Sequence, residues 1–310
     1  MLSLAQRKKH ISTVEVRNFG PKTNLFFNIV IGLFALTCLL PLIFIVIISL
    51  SSENSLVSNG YQFWPEHWSL AGYEYLATMS GQLLNALGIS ILVTVFGTLV
   101  NATFTSTYAY SISRTSFKYK KFFTIFCLIT MLFTPGMVAN YIVMTNLLQL
   151  KDTIWALILP MAVSPFNIIV MRTFFKRQVN ESIIEAARID GAGELRIFAR
   201  IVLPLAVPGI ATISLFAALG YWNDWFNALL YIQDSHLVPL QYLLMKIQSN
   251  IQMLSQNASQ SAQYAGGAAR IPQEATRMAM VVISILPIAL SYPFFQKYFV
   301  KGLTIGGVKE

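Results

Sequence analysis

Hydrophobic and polar positions along this chain separate into long blocks rather than short alternations. Six windows contain no Asp, Glu, Lys or Arg: 23–52, 75–113, 122–150, 153–171, 201–223 and 278–296. Each has room for the ~20 apolar residues that cross ~30 Å of hydrocarbon at 1.5 Å per residue. Backbone groups in lipid must be satisfied within the element, so these windows predict helices. The ~10-residue alternating segments of a membrane β-barrel are absent. Helices are therefore expected near 25–50, 84–112, 122–142, 153–172, from 201 to Tyr231, and 278–299. Pro135-Gly136 interrupts the third, Pro160 and Pro165 lie in the fourth, and Pro204 and Pro208 bend the start of the fifth. A seventh uncharged window, 247–269, is too rich in Gln, Asn and Ser to enter lipid. The expected fold class is an all-α integral membrane protein, one domain over 1–310 with six transmembrane helices.

Composition agrees: 55% of residues are hydrophobic and 11% charged, where a soluble domain carries about 25% charged. With the N-terminus placed in the cytoplasm, 18 of the 22 Lys and Arg fall on the inner side. Basic loops stay inside, so both termini are expected there. The formal charge of +9 then reflects topology rather than a nucleic-acid surface. The inner segments are 1–24, the short basic loop 114–121, 172–200 and the tail 300–310, with 232–276 outside. Arg7, Lys8 and Lys9 precede an apolar run as in a signal peptide, but the run from Leu25 to Leu50 is too long for a cleaved one. Tyr61, Trp64, Trp68, Tyr73 and Tyr75 suit an interfacial aromatic belt. Cys38 and Cys127 both fall in expected helices, as packed thiols or as a pair, and no spacing suggests a metal site.

The segment 172–200 is the exception to this apolar plan. It is long, of mixed charge and amphipathic. Ile183, Ile184, Ala187 and Ile189 are spaced for one side of a short helix. Gly191 suits a left-handed stop, and Leu195, Phe198, Ala199 and Val202 begin a second pattern. Such a helix–Gly–helix element can press an apolar face into a partner, with Glu185 and Arg188 at its rim and Ala186 and Ala187 allowing close approach. A helix resting on anionic lipid would instead be mostly basic.

Glu185-Ala186-Ala187, three residues, Gly191, nine residues, then Ile201-Val202-Leu203-Pro204 resembles the cytoplasmic signature of permease subunits of binding-protein-dependent ABC importers. The Asp190-Gly191-Ala192 extension, Trp222-Asn223-Asp224 and the closing Gly-Gly-Val-Lys resemble carbohydrate importers of the maltose class, in particular their G-type subunit. The resemblance covers nearly the whole chain. It implies a second, non-identical permease subunit, two cytoplasmic ABC ATPase subunits that dock on the Glu-Ala-Ala loop, an extracytoplasmic sugar-binding protein, and a bacterial plasma (inner) membrane location. It makes Glu185, Ala186, Ala187, Arg188, Asp190 and Gly191 the ATPase-coupling residues. It also implies that Gly306, Gly307 and Lys309 reach the ATPases, although Glu310 departs from the expected terminal Gly. The external segment 247–275 stands where such permeases can touch the binding protein.

The chain has no Gly-x-x-x-x-Gly-Lys-Ser/Thr, so nucleotide hydrolysis is expected from another chain, with no cofactor and no catalytic residue here. Five of the six windows hold no ionisable group suited to a proton relay, which disfavours the alternative of an ion-coupled carrier. A membrane enzyme would need clustered acids or histidines, but His10, His67 and His236 are scattered. A path for an uncharged sugar would draw on Tyr108, Asn140, Tyr141, Asn146, Tyr221, Trp222, Asn223 and Asp224. For each the alternative is packing or interfacial anchoring. A non-sugar solute is the other alternative.

Overall fold

In a computed structural model, residues 20–133, 135–261 and 272–307 are described. They are helical, with no strand among the described residues beyond a single bridge between Ser51 and Trp68. The first window forms α1 (Pro21–Ser49). The short helices α2 (Glu53–Asn59) and α3 (Ala71–Ala77) follow, and the second window is α4 (Ser80–Ser113). The third window is divided between α5 (Lys120–Leu132) and α6 (Met137–Ile142), which continues as a π-helical turn to Leu147. The fourth pairs α7 (Ile154–Ile158) with α8 (Pro165–Gln178) across a 54° bend. The charged segment holds α9 (Glu181–Ile189), α10 (Glu194–Ile197), a π-helical turn at Phe198–Val202 and α11 (Leu203–Leu205). That arm meets α12 (Val207–Trp222) at 80°. Next come α13 (Phe226–Tyr231) and α14 (Leu240–Ser261), and the sixth window is α15 (Gln273–Gly307). Three helices are long and apolar enough to span a membrane, and six spans result when each bent pair is one crossing.

The breaks fall where backbone chemistry requires them. Proline lacks an N–H and crowds a carbonyl of the preceding turn. Continuous α-helix gives way near Pro135, Pro160, Pro165 and Pro208, whereas α1 and α15 carry Pro41, Pro287 and Pro293 without a break. The fifth helix does not run unbroken to Tyr231 as expected. It stops at Trp222, and Asp224 accepts hydrogen bonds from the Asn227 backbone (3.1 Å) and side-chain amide (2.8 Å) to start α13. The outer segment 232–276 is likewise more than a polar loop. Leu240, Leu243, Leu244, Ile247 and Ile251 recur at helical spacing in α14 and are buried. α15 continues through Gly306 and Gly307, while Lys309 lies outside the described residues.

Packing forms two main cores along α4. The first joins Val93, Tyr221, Trp222, Leu240 and Met280, and the second joins Ala109, Phe175, Ile184, Ile197 and Val202 beneath the charged loop. α1 touches the rest chiefly through α15, and its apolar window is only 6% buried. Cys38 is exposed and Cys127 buried; both are free thiols.

Candidate functional site

The charged loop folds as a braced hairpin of two helical arms. Asn180 caps α9, its Oδ1 accepting the Ser182 N–H at 3.4 Å. The helix ends in a Schellman arrangement: Ala192 N–H donates to the Ala187 carbonyl (2.9 Å) and Gly191 N–H to that of Arg188 (3.0 Å). Gly191 has φ +79°, the left-handed conformation its position predicted. The apolar face expected on α9 is divided by the packing. Ile184 and Ala187 turn into the core, whereas Ile183 and Ile189 face outward. The second pattern divides too, with Val202 buried and Leu195 exposed. Ile189 (87%) and Leu195 (85%) are the most exposed large hydrophobic side chains among the described residues. They stand on either side of Gly191, two apolar knobs at the tip of a charged element. Glu185, Ala186 and Asp190 are also exposed, and Glu185 has no hydrogen bond or ion pair among the described residues.

Arg188 does not project freely toward a partner as its rim position suggested. Its Nε and Nη2 donate to Glu194 Oε1 at 2.9 and 2.6 Å, and Nη2 also donates to Ser116 Oγ at 3.3 Å. The hydrogen bonds to Glu194 raise the guanidinium pKa further. Arg188 thereby straps α9 to α10. A second brace holds the base of the loop. Arg114, its side chain 5% exposed, pairs with Glu181 at 3.3 Å, and its guanidinium carbon lies 5.2 Å from the Tyr110 ring centre. Thr115 donates to the other Glu181 oxygen at 2.9 Å, and the Tyr110 hydroxyl reaches Glu194 at 3.5 Å. Arg114, Glu181 and Glu194 were not singled out from the sequence. Their only signal was that segment 114–121 is purely basic whereas segment 172–200 also carries acids.

The eight residues assigned to a sugar path do not form one surface. Tyr108 packs in the inner core and donates to the Phe123 carbonyl (3.0 Å). Tyr221 and Trp222 are buried in the outer core, donating to the carbonyls of Ile158 (2.8 Å) and Ser284 (3.1 Å). Aromatic rings with a polar handle bury well once the handle finds an acceptor. Asn223 donates to the Leu219 carbonyl of its own helix end (2.8 Å), and Asp224 caps α13. Asn140, Tyr141 and Asn146 are exposed near the outer end of the third span, where Tyr141 stacks on Tyr231 with ring centres 6.0 Å apart. No group of three or more His, Cys, Asp or Glu that could hold a metal occurs among the described residues.

Comparison with known proteins agrees with this arrangement. Residues 102–305 match the family described as binding-protein-dependent transport system inner membrane component. Protein LplC of Bacillus subtilis (strain 168) is 40% identical over 278 residues, 90% of this chain and 91% of its own. The polygalacturonan/rhamnogalacturonan transport system permease protein YtcP of the same organism is 38% identical over 291 residues, 93% and 99% of the two chains. Among solved structures, a chain of a bacterial ABC transporter involved in the import of the acidic polysaccharide alginate superimposes with a TM-score of 0.75 at 30% identity, covering 91% of this chain and 99% of that one.

Proposed function

Because the chain belongs to the inner membrane components of binding-protein-dependent transport systems, we propose that it is the membrane-spanning permease subunit of an ATP-driven saccharide importer. The observation that carries this reading is the inner hairpin, rigidly braced yet exposing Ile189 and Leu195 at its tip. An apolar tip with acidic neighbours suits a cleft on a soluble ATPase, which supplies the hydrolysis this chain lacks. Movement of the tip then has two routes into the membrane. One runs through α10 and the π-helical turn to the 80° elbow and α12. The other runs through the Glu181–Arg114 pair to the inner end of α4. These helices pack on each other, so their displacement can open one side of a path and close the other.

The working assembly in this reading contains a second permease subunit, two ATPase subunits and an extracytoplasmic binding protein. It sits in the bacterial plasma membrane with both termini of this chain in the cytoplasm. The chain is one transmembrane domain with inner segments 1–24, 172–200 and 300–310 and the outer segment 232–276. Glu185, Ala186, Ala187, Arg188, Asp190 and Gly191 couple to the ATPases, Arg188 by shaping the hairpin. Gly306 and Gly307, in the last turn of α15, lead the tail toward them. The names of the similar proteins support a saccharide cargo, with fragments of acidic glycans within that class.

The test replaces Gly191 by Val and, separately, Glu185 by Arg in the assembled transporter. Each variant is expected to lower ATP-dependent saccharide uptake at least tenfold while the protein still inserts in the membrane. Wild-type uptake by both would overturn the coupling role.

A further inference from the structure

A cavity of ≈ 520 Å³ lies far from the hairpin, between the first turns of α4, the turn at 235–237 and α14. That volume is within the range of about 300–1,000 Å³ typical of small-molecule sites. Its polar lining includes Gln82, Asn85, Ser235, His236, Lys246 and Asn250, above an apolar floor, and no carboxylate lines it among the described residues.

The walls are fixed before any ligand arrives. Asn85 Nδ2 donates to the His236 carbonyl at 2.9 Å. The nearby acid, Asp234, is turned to the His236 backbone N–H, also at 2.9 Å. The Leu240 N–H donates to Ser90 Oγ at 2.8 Å and so docks the start of α14 on α4. Burial of the α14 leucine and isoleucine stripe leaves Lys246 and Asn250, four residues apart, on the flank that faces the cavity. The Lys246 ammonium lies 4.6 Å from the Tyr242 ring centre and has no ion pair among the described residues. An uncompensated cation in a concave wall concentrates positive potential there. A neighbouring cavity, lined by Trp225, Gln248 and Arg277, lacks this property because Arg277 pairs with Glu274 at 3.4 Å.

We propose that this outer cavity is a receiving site for acidic oligosaccharides, in which Lys246 takes a uronate carboxylate while Gln82, Asn85 and Asn250 bind ring hydroxyls. The proposal rests on the importer reading and deepens it, since segment 232–276 faces outward only in that topology. Side-chain amides offer both donor and acceptor to a hydroxyl, and an ammonium–carboxylate contact is roughly twice as strong as a neutral hydrogen bond.

Two measurements test it on the complete assembly. The first is equilibrium binding of a fluorescent galacturonate trisaccharide to the solubilised transporter without its binding protein. The second is ATP-driven uptake of the same sugar, and of a neutral galactose trisaccharide, into vesicles with the binding protein present. Lys246→Gln is expected to weaken uronate binding about tenfold, Lys246→Arg to restore most of it, and neutral-sugar uptake to stay unchanged. Asn250→Ala is expected to weaken both sugars by about threefold, a smaller loss than that of a charged contact. No uronate binding by the wild type, or equal binding by Lys246→Gln, overturns the receiving site even with uptake intact. Equal losses for both sugars in Lys246→Gln also overturn it, marking a contact with the binding protein instead. Uronate binding without ATP-dependent uptake of any saccharide overturns the importer reading and leaves the cavity assignment standing.

Discussion

Asp152 sits at φ +56° in the outer turn between the third and fourth spans, a conformation that Asn and Asp tolerate better than most side chains. Its Oδ1 accepts the backbone N–H groups of Gln233 and Asp234, and these bonds hold its carboxyl below the usual range. A folded pKa below the unfolded value of about 3.9 stabilises the protein above that pH, and this contribution is lost as pH falls through the folded pKa. Asp152→Asn keeps the backbone conformation and removes the titration. Thermal unfolding in detergent should therefore lose less stability below about pH 4 in the variant than in the wild type; parallel profiles would show that the carboxylate contributes nothing. Gly191 illustrates the opposite demand. Its left-handed conformation would cost most β-carbon-bearing residues about 1–2 kcal/mol, so its conformational role was legible from spacing alone. Arg188 was legible as part of the motif but not in its action, since its bonds to Glu194 and Ser116 exist only once the hairpin has formed.

The two helices α4 and α12 are locked face to face by a glycine–tyrosine contact. A β-carbon at Gly97 would stand 2.6 Å from the Tyr221 ring, whose hydroxyl is itself tethered to the Ile158 carbonyl. Overpacking of this kind costs typically about 1–3 kcal/mol. Gly97→Ala should lower the unfolding temperature, and combining it with Tyr221→Leu should recover part of the loss. An unchanged transition in the single variant would mean that the helices separate more freely than the contact implies. The same contact explains why Tyr221 and Trp222 belong to the scaffold, although their polar handles and outer position suggested a sugar path. α14 was missed as a helix for a related reason. Its Gln, Asn and Ser content excludes lipid but is compatible with an amphipathic helix whose buried stripe packs against its neighbours.

The complete molecule leaves most of α1 and broad stretches of α5 and α6 uncovered, with Phe34, Leu132 and Leu147 among the exposed side chains. In a membrane subunit such surface is met by lipid or by the second permease, so its exposure is no fault of packing. The charge distribution sets which side the hairpin occupies. In a background without Cys38 and Cys127, Ser116→Cys should react with a membrane-impermeant maleimide only after cells are opened, and Gln233→Cys should react in intact cells. The reverse pattern would place the hairpin outside, where no ATPase could reach it.

Six apolar windows and the hairpin with its glycine stop follow from the chain alone, because uncharged length and backbone conformation at one residue are local properties. Which side of α9 is buried, which charges strap the hairpin, where α14 rests and where a cavity with one uncompensated cation opens are different. They depend on groups as far apart as Arg114 and Glu181 or Ser90 and Leu240 meeting at hydrogen-bond distance. Only the tertiary packing decides such meetings, because burial and pairing energies belong to the neighbours a residue acquires rather than to the residue itself.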